Sequence, residues 1–359
     1  MAKRKLKRQL SLLQVIMLGT AGTIAAEIFV LTGHVAKLAG PESVLALALG
    51  GVLTLSIALN YCELATTFPV SGGAMTYVSE AFGKGWLMFL VGSLDCLSST
   101  FYAALSAVGF AISLSIFIPN LPIVPVAIAV IIIIGAMHIR GVTSVGNLQI
   151  ALGAFLLIVF GVFIYKGFFS EGGFSMETFL SGRRIFENQS AIAHIGRMLS
   201  AIALAYNAYV GFEVIADDAE EVTQPSKNIP IGILISLLLT TVIYSSVTMV
   251  TVGTVPIAQL AGSDTALTDA ASRFWPGIGV PIMGITGIVA TLTSVNSAML
   301  SATREAFSLS RERVWPRQLS RLSHWRTPWV AVVMVAAASA LVAAIGLVDF
   351  LSFISSAGY

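Results

Sequence analysis

Nine stretches of this 359-residue chain are apolar for long enough to cross a lipid bilayer. A helix rising 1.5 Å per residue needs about 20 mostly apolar residues to traverse a hydrocarbon core of roughly 30 Å. The windows run approximately from 11 to 36, 42 to 66, 86 to 116, 122 to 140, 147 to 168, 198 to 216, 229 to 256, 278 to 303 and 328 to 348. Between them the chain turns polar or rich in glycine and proline, as in PVSGG at 69 to 73 and SEGGF at 170 to 174, which is how connections read. Composition agrees: 56% of residues are hydrophobic and only 11% charged, against roughly a quarter charged in an ordinary soluble domain. So few charges do not coat a globule of this size, and an all-α integral membrane protein facing lipid is expected.

Lysine and arginine set the orientation, because basic loops stay on the cytoplasmic side. With the N-terminus inside, the inner segments carry Lys3, Arg4, Lys5, Lys7, Arg8, Lys84, Arg140, Lys227, Arg304, Arg311, Arg313, Arg317, Arg321 and Arg326. The outer ones carry Lys37, Lys166, Arg183, Arg184, Arg197 and Arg273. A multi-pass protein of the cell membrane, plasma or inner, with a cytoplasmic N-terminus is expected. The first window exceeds the 7 to 15 residue apolar region of a cleaved signal peptide. A net charge of +2 gives no reason to expect a nucleic-acid partner. Cys62 and Cys96 form no CxxC, and the sequence lacks GxxxxGK[ST], HExxH and GxSxG patterns. His34, His138, His194 and His324 fall in loops or at span ends, so no enzyme, cofactor or metal centre is expected.

Three ionisable side chains fall well inside the windows: Glu27 in span 1, Asp95 in span 3 and Glu213 in span 6. An intramembrane carboxylate costs about 2.5 to 3.5 kcal/mol on insertion scales, so it is read first as a site facing the bundle interior or a water-filled cavity. Three acids call for cations: protons, a metal cation such as sodium, or a substrate ammonium. The plainer alternative is a protonated carboxyl bonded to a neighbouring helix. Gly19 and Gly22 precede Glu27, and Asn207 and Gly211 precede Glu213. Glycine costs about 1 kcal/mol against alanine inside a helix, so glycine beside an acid marks a segment ready to unwind; close helix packing through small residues is the competing explanation. The two interruptions lie five spans apart, as in an inverted repeat of five helices.

Four stretches carry a resemblance to a known family: GTIAAEIFVLTG at 22 to 33, NYCELATTFPVSGGAMTYVSEAFG at 60 to 83, AYVGFEVIADDAEEVTQPSKNIPIGI at 208 to 233, and VNSAMLSATREAFSLSRERVWPRQLSRLSHWRTPWVAV at 295 to 332. On these the chain resembles the amino acid-polyamine-organocation superfamily of permeases. The resemblance implies a LeuT-like five-plus-five inverted-repeat helix bundle with discontinuous helices 1 and 6. Residues 1 to 168 would form the first repeat, 169 to 197 an extracellular loop and 198 to 359 the second. It also implies a secondary active transporter, symporter or antiporter, for amino acids or related amines such as polyamines, working by alternating access. Its partners would be a small-molecule substrate, a coupling proton or sodium ion and the lipid bilayer.

Carried over by position, the substrate site comprises Gly22, Thr23, Ala25, Ala26 and Glu27 in span 1 and Tyr206, Asn207, Tyr209 and Gly211 in span 6. Asp95, Ser98 and Tyr102 join them at helical spacing on span 3. Coupling and gating fall to Glu27, Glu213 and Glu63, with Thr293 and Ser294, beside Thr291, as oxygen donors for a possible sodium site. The chain departs from the family where Ala25 and Glu27 replace glycines, and where span 5 is apolar around Leu156 instead of carrying a coupling lysine. A fixed negative charge at Glu27 would suit an amine. About ten residues follow the last window, so the second repeat is expected to be incomplete. The competing reading is therefore a non-transporting fragment or a partner-binding membrane subunit.

Overall fold

The computed structural model of the chain describes residues 6–24, 27–184, 190–261, 263 and 265–345, and of Glu27, Val30, Arg183, Arg184 and Asn207 the backbone alone. Ser11 starts the first helix by a reciprocal cap, its Oγ accepting from the Gln14 N–H while the Gln14 side chain accepts from the Ser11 N–H at 2.8 Å. Such a cap satisfies two donors that the first turn leaves open. This helix, α1 (Leu12–Thr23), ends after 12 residues, and α2 (Glu27–Ala39) follows. At 1.5 Å per residue α1 is about 18 Å long, too short to span alone. The first expected span is thus two half-helices. A 3₁₀ turn at Gly40–Glu42 leads into α3 (Ser43–Thr67).

The short α4 (Gly73–Phe82) follows Gly72, whose φ of 113° suits glycine. Three long apolar helices come next: α5 (Trp86–Ser115), α6 (Ile123–Arg140) and α7 (Val142–Phe169). The segment expected as an outer loop holds α8 (Met176–Arg184), and α9 (Ala191–Asn207) starts seven residues before the sixth window. After an irregular turn come α10 (Val214–Asp217) and α11 (Pro225–Thr254), whose Pro225 sits in the first turn where no N–H is needed. Two short helices, α12 (Ile257–Leu260) and α13 (Ala266–Phe274), precede α14 (Gly279–Arg311) and α15 (Trp329–Ile345). Among the described residues six helical stretches have membrane-crossing length and apolarity. The apolar stretches of α1, α9 and α15 are shorter.

The centre of the bundle is α14, buried almost without interruption from Thr293 to Ser310 and packed along α5. α11 lies against α3 and α1, and α1 against α7. Around this core Val52, Leu53, Ile132, Ile133, Leu238 and Leu341 point outward. Exposed aliphatic side chains on every long helix are what a lipid-facing surface requires. α14 continues eight residues past the window ending at 303, because its polar side chains there find partners within the protein: Arg304 and Ser308 are both bonded to other elements. Residues 6 to 10 pack against the connection after α10, with Gln9 and Leu10 N–H groups on the Glu221 carbonyl at 2.8 and 2.9 Å.

Candidate functional site: two helix breaks that meet

α1 closes its last turn with the Ile24 N–H on the Thr20 carbonyl at 2.8 Å, and the Thr23 hydroxyl folds back onto the Gly19 carbonyl at 2.8 Å. The Thr23 carbonyl, with no further helical turn to receive it, accepts the Tyr244 hydroxyl of α11 at 2.6 Å. In the second interruption, residues 208 to 213, Gly211 adopts a φ of 124°, a conformation that side chains disfavour. The Glu213 carboxylate turns back on this loop, accepting the Gly211 N–H at 2.9 and 2.8 Å.

The two interruptions touch. A Cβ on Gly211 would lie 2.8 Å from the Gly22 carbonyl oxygen and 3.0 Å from the Thr23 nitrogen. One on Gly22 would lie 3.2 Å from Ser297 Oγ and 3.4 Å from the Gly211 oxygen. Glycine at both positions lets one backbone approach the other, so peptide groups from two broken spans face each other inside the bundle. Released backbone groups at such depth are tolerated only within protein or along a cavity, where they can hold polar groups.

The other candidates are distributed as follows. Ala25 and Ala26 lie outside the described residues, as do the side chains of Glu27 and Asn207; the Glu27 backbone opens α2 and that of Asn207 closes α9. On α5 Ser98 is buried, and Asp95 and Tyr102 are partly so. Tyr206 is 37% exposed, whereas Tyr209 is fully buried, donating to the Leu47 carbonyl at 2.8 Å with its ring 5.6 Å from that of Tyr244. Tyr209 thus ties the second break to α3. Glu63 is exposed on α3. Thr293 and Ser294 are buried and donate to the Ala290 carbonyl at 2.6 and 3.0 Å, and Thr291 donates to Gly287 at 2.9 Å. Their protons serve their own helix, leaving lone pairs for any ligand.

Three sets of polar groups, Asp95 apart, escape the hydropathy pattern. From Ser297, beside Gly22, a line of bonds crosses the bundle: Gln149 donates to Ser297 Oγ at 2.9 Å, Asn296 donates to Gln149 at 2.7 Å, and His138 Nε2 lies 3.1 Å from Asn296 Oδ1. His138, which sequence places at a span end, is fully buried in the last turn of α6. Next, Asp95, Asp217 and Glu305 bring their carboxylate oxygens within 4.8 Å of one another. Finally, fully buried Arg304 lies 2.7 Å from Glu221 and 3.5 Å from Asp218. The sequence signal for the last two is the run ADDAEE after span 6 and the pair Arg304-Glu305 just beyond span 8, at edges where hydropathy alone ends a window.

An all-helical bundle with a lipid-facing exterior, a polar interior and two interrupted helices meeting there defines a multi-pass membrane transporter. The chain belongs to the amino acid permease family, whose model matches residues 10–359. It is similar to the branched-chain amino acid permease BcaP of Bacillus subtilis, 28% identical over 99% of this chain and 78% of that one. The inner membrane transport protein YbaT of Escherichia coli is 24% identical over 97% and 80%, respectively. The chloroplastic cationic amino acid transporter 9 of Arabidopsis thaliana is 26% identical over 88% of this chain and 58% of its own length.

Proposed function

We propose that the chain is a cation-coupled secondary transporter of amino acids or related amines, built as a LeuT-like five-plus-five bundle and working by alternating access. Its substrate site is the contact between the two helix breaks. The observation that carries this reading is the approach of Gly211 to Gly22 and Thr23, which sets the backbones of both broken spans against one another. The backbone of Gly22 and Thr23 would take the substrate's polar end, with Asp95, Ser98 and Tyr102 along the α5 wall and Glu27 available to an amine. Glu213, turned onto Gly211, is placed to release that loop when its charge changes. The relatives' names, a branched-chain permease and a cationic amino acid transporter, bracket the side chains worth testing. The N-terminus would lie in the cytoplasm and the protein in the cell membrane.

The test is uptake into proteoliposomes of labelled leucine, arginine and putrescine, at two pH values and with or without sodium. Accumulation of one of them above the external concentration supports the reading. Absence of uptake for every amino acid and polyamine offered, by protein shown to be folded, would refute it. Glu27→Gln should change the ranking of neutral against cationic substrates, and an unchanged ranking removes Glu27 from selectivity.

A further inference from the structure

On the reading that this permease is driven by a cation, we infer that Asp95, Asp217 and Glu305 form its proton-binding site, in which one proton is held between Glu305 and Asp95 and exchanged during the transport cycle. The three acids come from α5, from α10 just after the break in span 6, and from α14, and their oxygens lie within 4.8 Å of one another. Asp217 is 2% exposed and Glu305 fully buried.

The hydrogen bonding asks for a proton. Ser301 Oγ contacts Asp217 Oδ2 on one side and Glu305 Oε1, at 2.9 Å, on the other. A hydroxyl has one proton to donate and two lone pairs. It therefore satisfies only one of these two carboxyls at a time, which leaves the group short of donors. The other Glu305 oxygen, Oε2, is buried without a hydrogen-bond partner among the described residues. Asp95 lies within hydrogen-bonding reach of Glu305. A buried acceptor left without a donor is costly, and a proton between these two carboxyls supplies the donor.

Among the described residues the surroundings offer no other neutralising charge. Facing the three acids are Tyr61 from α3, Tyr77 from α4, Cys96 from α5, and Glu213 and Asp218 from either side of α10. None of these is a cation, and Arg304 is committed to Glu221 and Asp218. Two features favour a proton over a metal ion. A hard divalent cation takes six or more oxygens, whereas two oxygens of this group already face Ser301. Asp217, in addition, lies at the start of α4, so close to Gly73 that a Cβ there would collide with its Oδ1. A helix N-terminus favours the anion, which makes Asp217 the least favoured of the three to hold the proton and points to the Glu305 and Asp95 pair. The proton arrives from water on one side and leaves to water on the other, with no other bond made or broken. Its loss sets three like charges together and drives α10 away from α14 and α5, beside the break that holds substrate.

Two measurements decide this. In the first, the purified full chain in lipid nanodiscs is followed by infrared difference spectroscopy between mildly acidic and mildly alkaline buffer. A protonated-carboxyl band should be present, disappear in Glu305→Gln and shift in Asp95→Asn. A band unchanged in both variants and in Asp217→Asn overturns the proposal, whatever the transport assays give. In the second, proteoliposomes carry a pH gradient of one unit, which supports about tenfold accumulation per coupled proton. Accumulation should fall to about equal concentrations in Glu305→Gln, with a smaller loss in exchange of labelled for unlabelled substrate at equal pH. Undiminished accumulation overturns the proposal, and so does accumulation that follows a sodium or manganese gradient instead. Should wild type move no substrate offered, the transport reading fails and the infrared result still decides the proton site. If Glu305→Gln does not fold, Asp95→Asn, at the partly accessible side of the group, carries the infrared measurement, in which no substrate is present.

Discussion

Replacing Arg304 with glutamine removes the positive partner of two buried carboxylates while keeping a long polar side chain. Arg304 and Asp218 are fully buried and Glu221 is 2% exposed at the side chain, with Nε 2.7 Å from Glu221 and 3.5 Å from Asp218. At an effective dielectric of about 20, unit charges about 4 Å apart attract by about 4 kcal/mol, which offsets much of the cost of dehydrating the acids. Neither Asp218 carboxylate oxygen has a hydrogen-bond partner among the described residues, so its compensation comes through Arg304. Breaking a buried pair from one side costs about 3 to 5 kcal/mol, because the remaining charge is uncompensated, and Arg304→Gln is expected to lose that much. Burial raises the Asp218 and Glu221 carboxyls above their ordinary range, and Arg304 opposes the rise. A carboxyl raised in the folded state binds protons more tightly there than in the unfolded chain. Stability is then greatest at or below the unfolded carboxyl value, about 4, and falls as pH rises through the folded one. Without Arg304 that fall steepens, so the loss should be larger in alkaline than in mildly acidic buffer. Equilibrium unfolding in mixed micelles at two pH values measures it, and adding Glu221→Gln should restore part of the loss. A variant within about 1 kcal/mol of wild type, or a loss that grows as pH falls, refutes the argument.

Three further outcomes follow from single contacts. Gly211→Ala forces a side chain into a φ of 124° and 2.8 Å from the Gly22 oxygen; it should cost about 1 to 3 kcal/mol and weaken substrate binding measured by scintillation proximity, and full affinity would show that the breaks need not touch. Tyr244→Phe strips the hydroxyl from the Thr23 carbonyl, and an unfolding free energy lower by about 1 to 3 kcal/mol is expected; no change would mean that another donor reaches that carbonyl. Lys84→Ala removes a pair with Glu312 whose side chains are 63% and 23% exposed, so the shift should stay below about 1 kcal/mol and shrink further in high salt.

Hydropathy located all nine apolar stretches, and the glycine and acid combinations marked where two of them open, because the bilayer imposes a length and the backbone a glycine requirement that local sequence must obey. The interior was harder to read. Glu213 lies inside a window and stood out, whereas Asp217 and Glu305 lie one and two residues beyond the ends at 216 and 303 and resembled loop residues. Asp217 closes α10 and Glu305 lies within α14, and Ser301 meets both; a partner met only in three dimensions leaves no mark on hydropathy. Tyr209, expected in the substrate site, has its hydroxyl bonded to the Leu47 carbonyl, a contact 162 positions away in the chain.

The amino-acid sequence alone determined that this protein lives in a membrane and roughly where its apolar stretches lie, since each follows from about twenty neighbouring residues meeting one solvent, and it named two stretches as candidates for interruption. Only the tertiary structure decided that Gly22 and Gly211 face each other, that Tyr244 answers the freed carbonyl of Thr23, and that Asp95, Asp217 and Glu305 converge. Those are distances between helices far apart in the chain, fixed by packing, and charge in a low-dielectric interior is governed by what stands across from it.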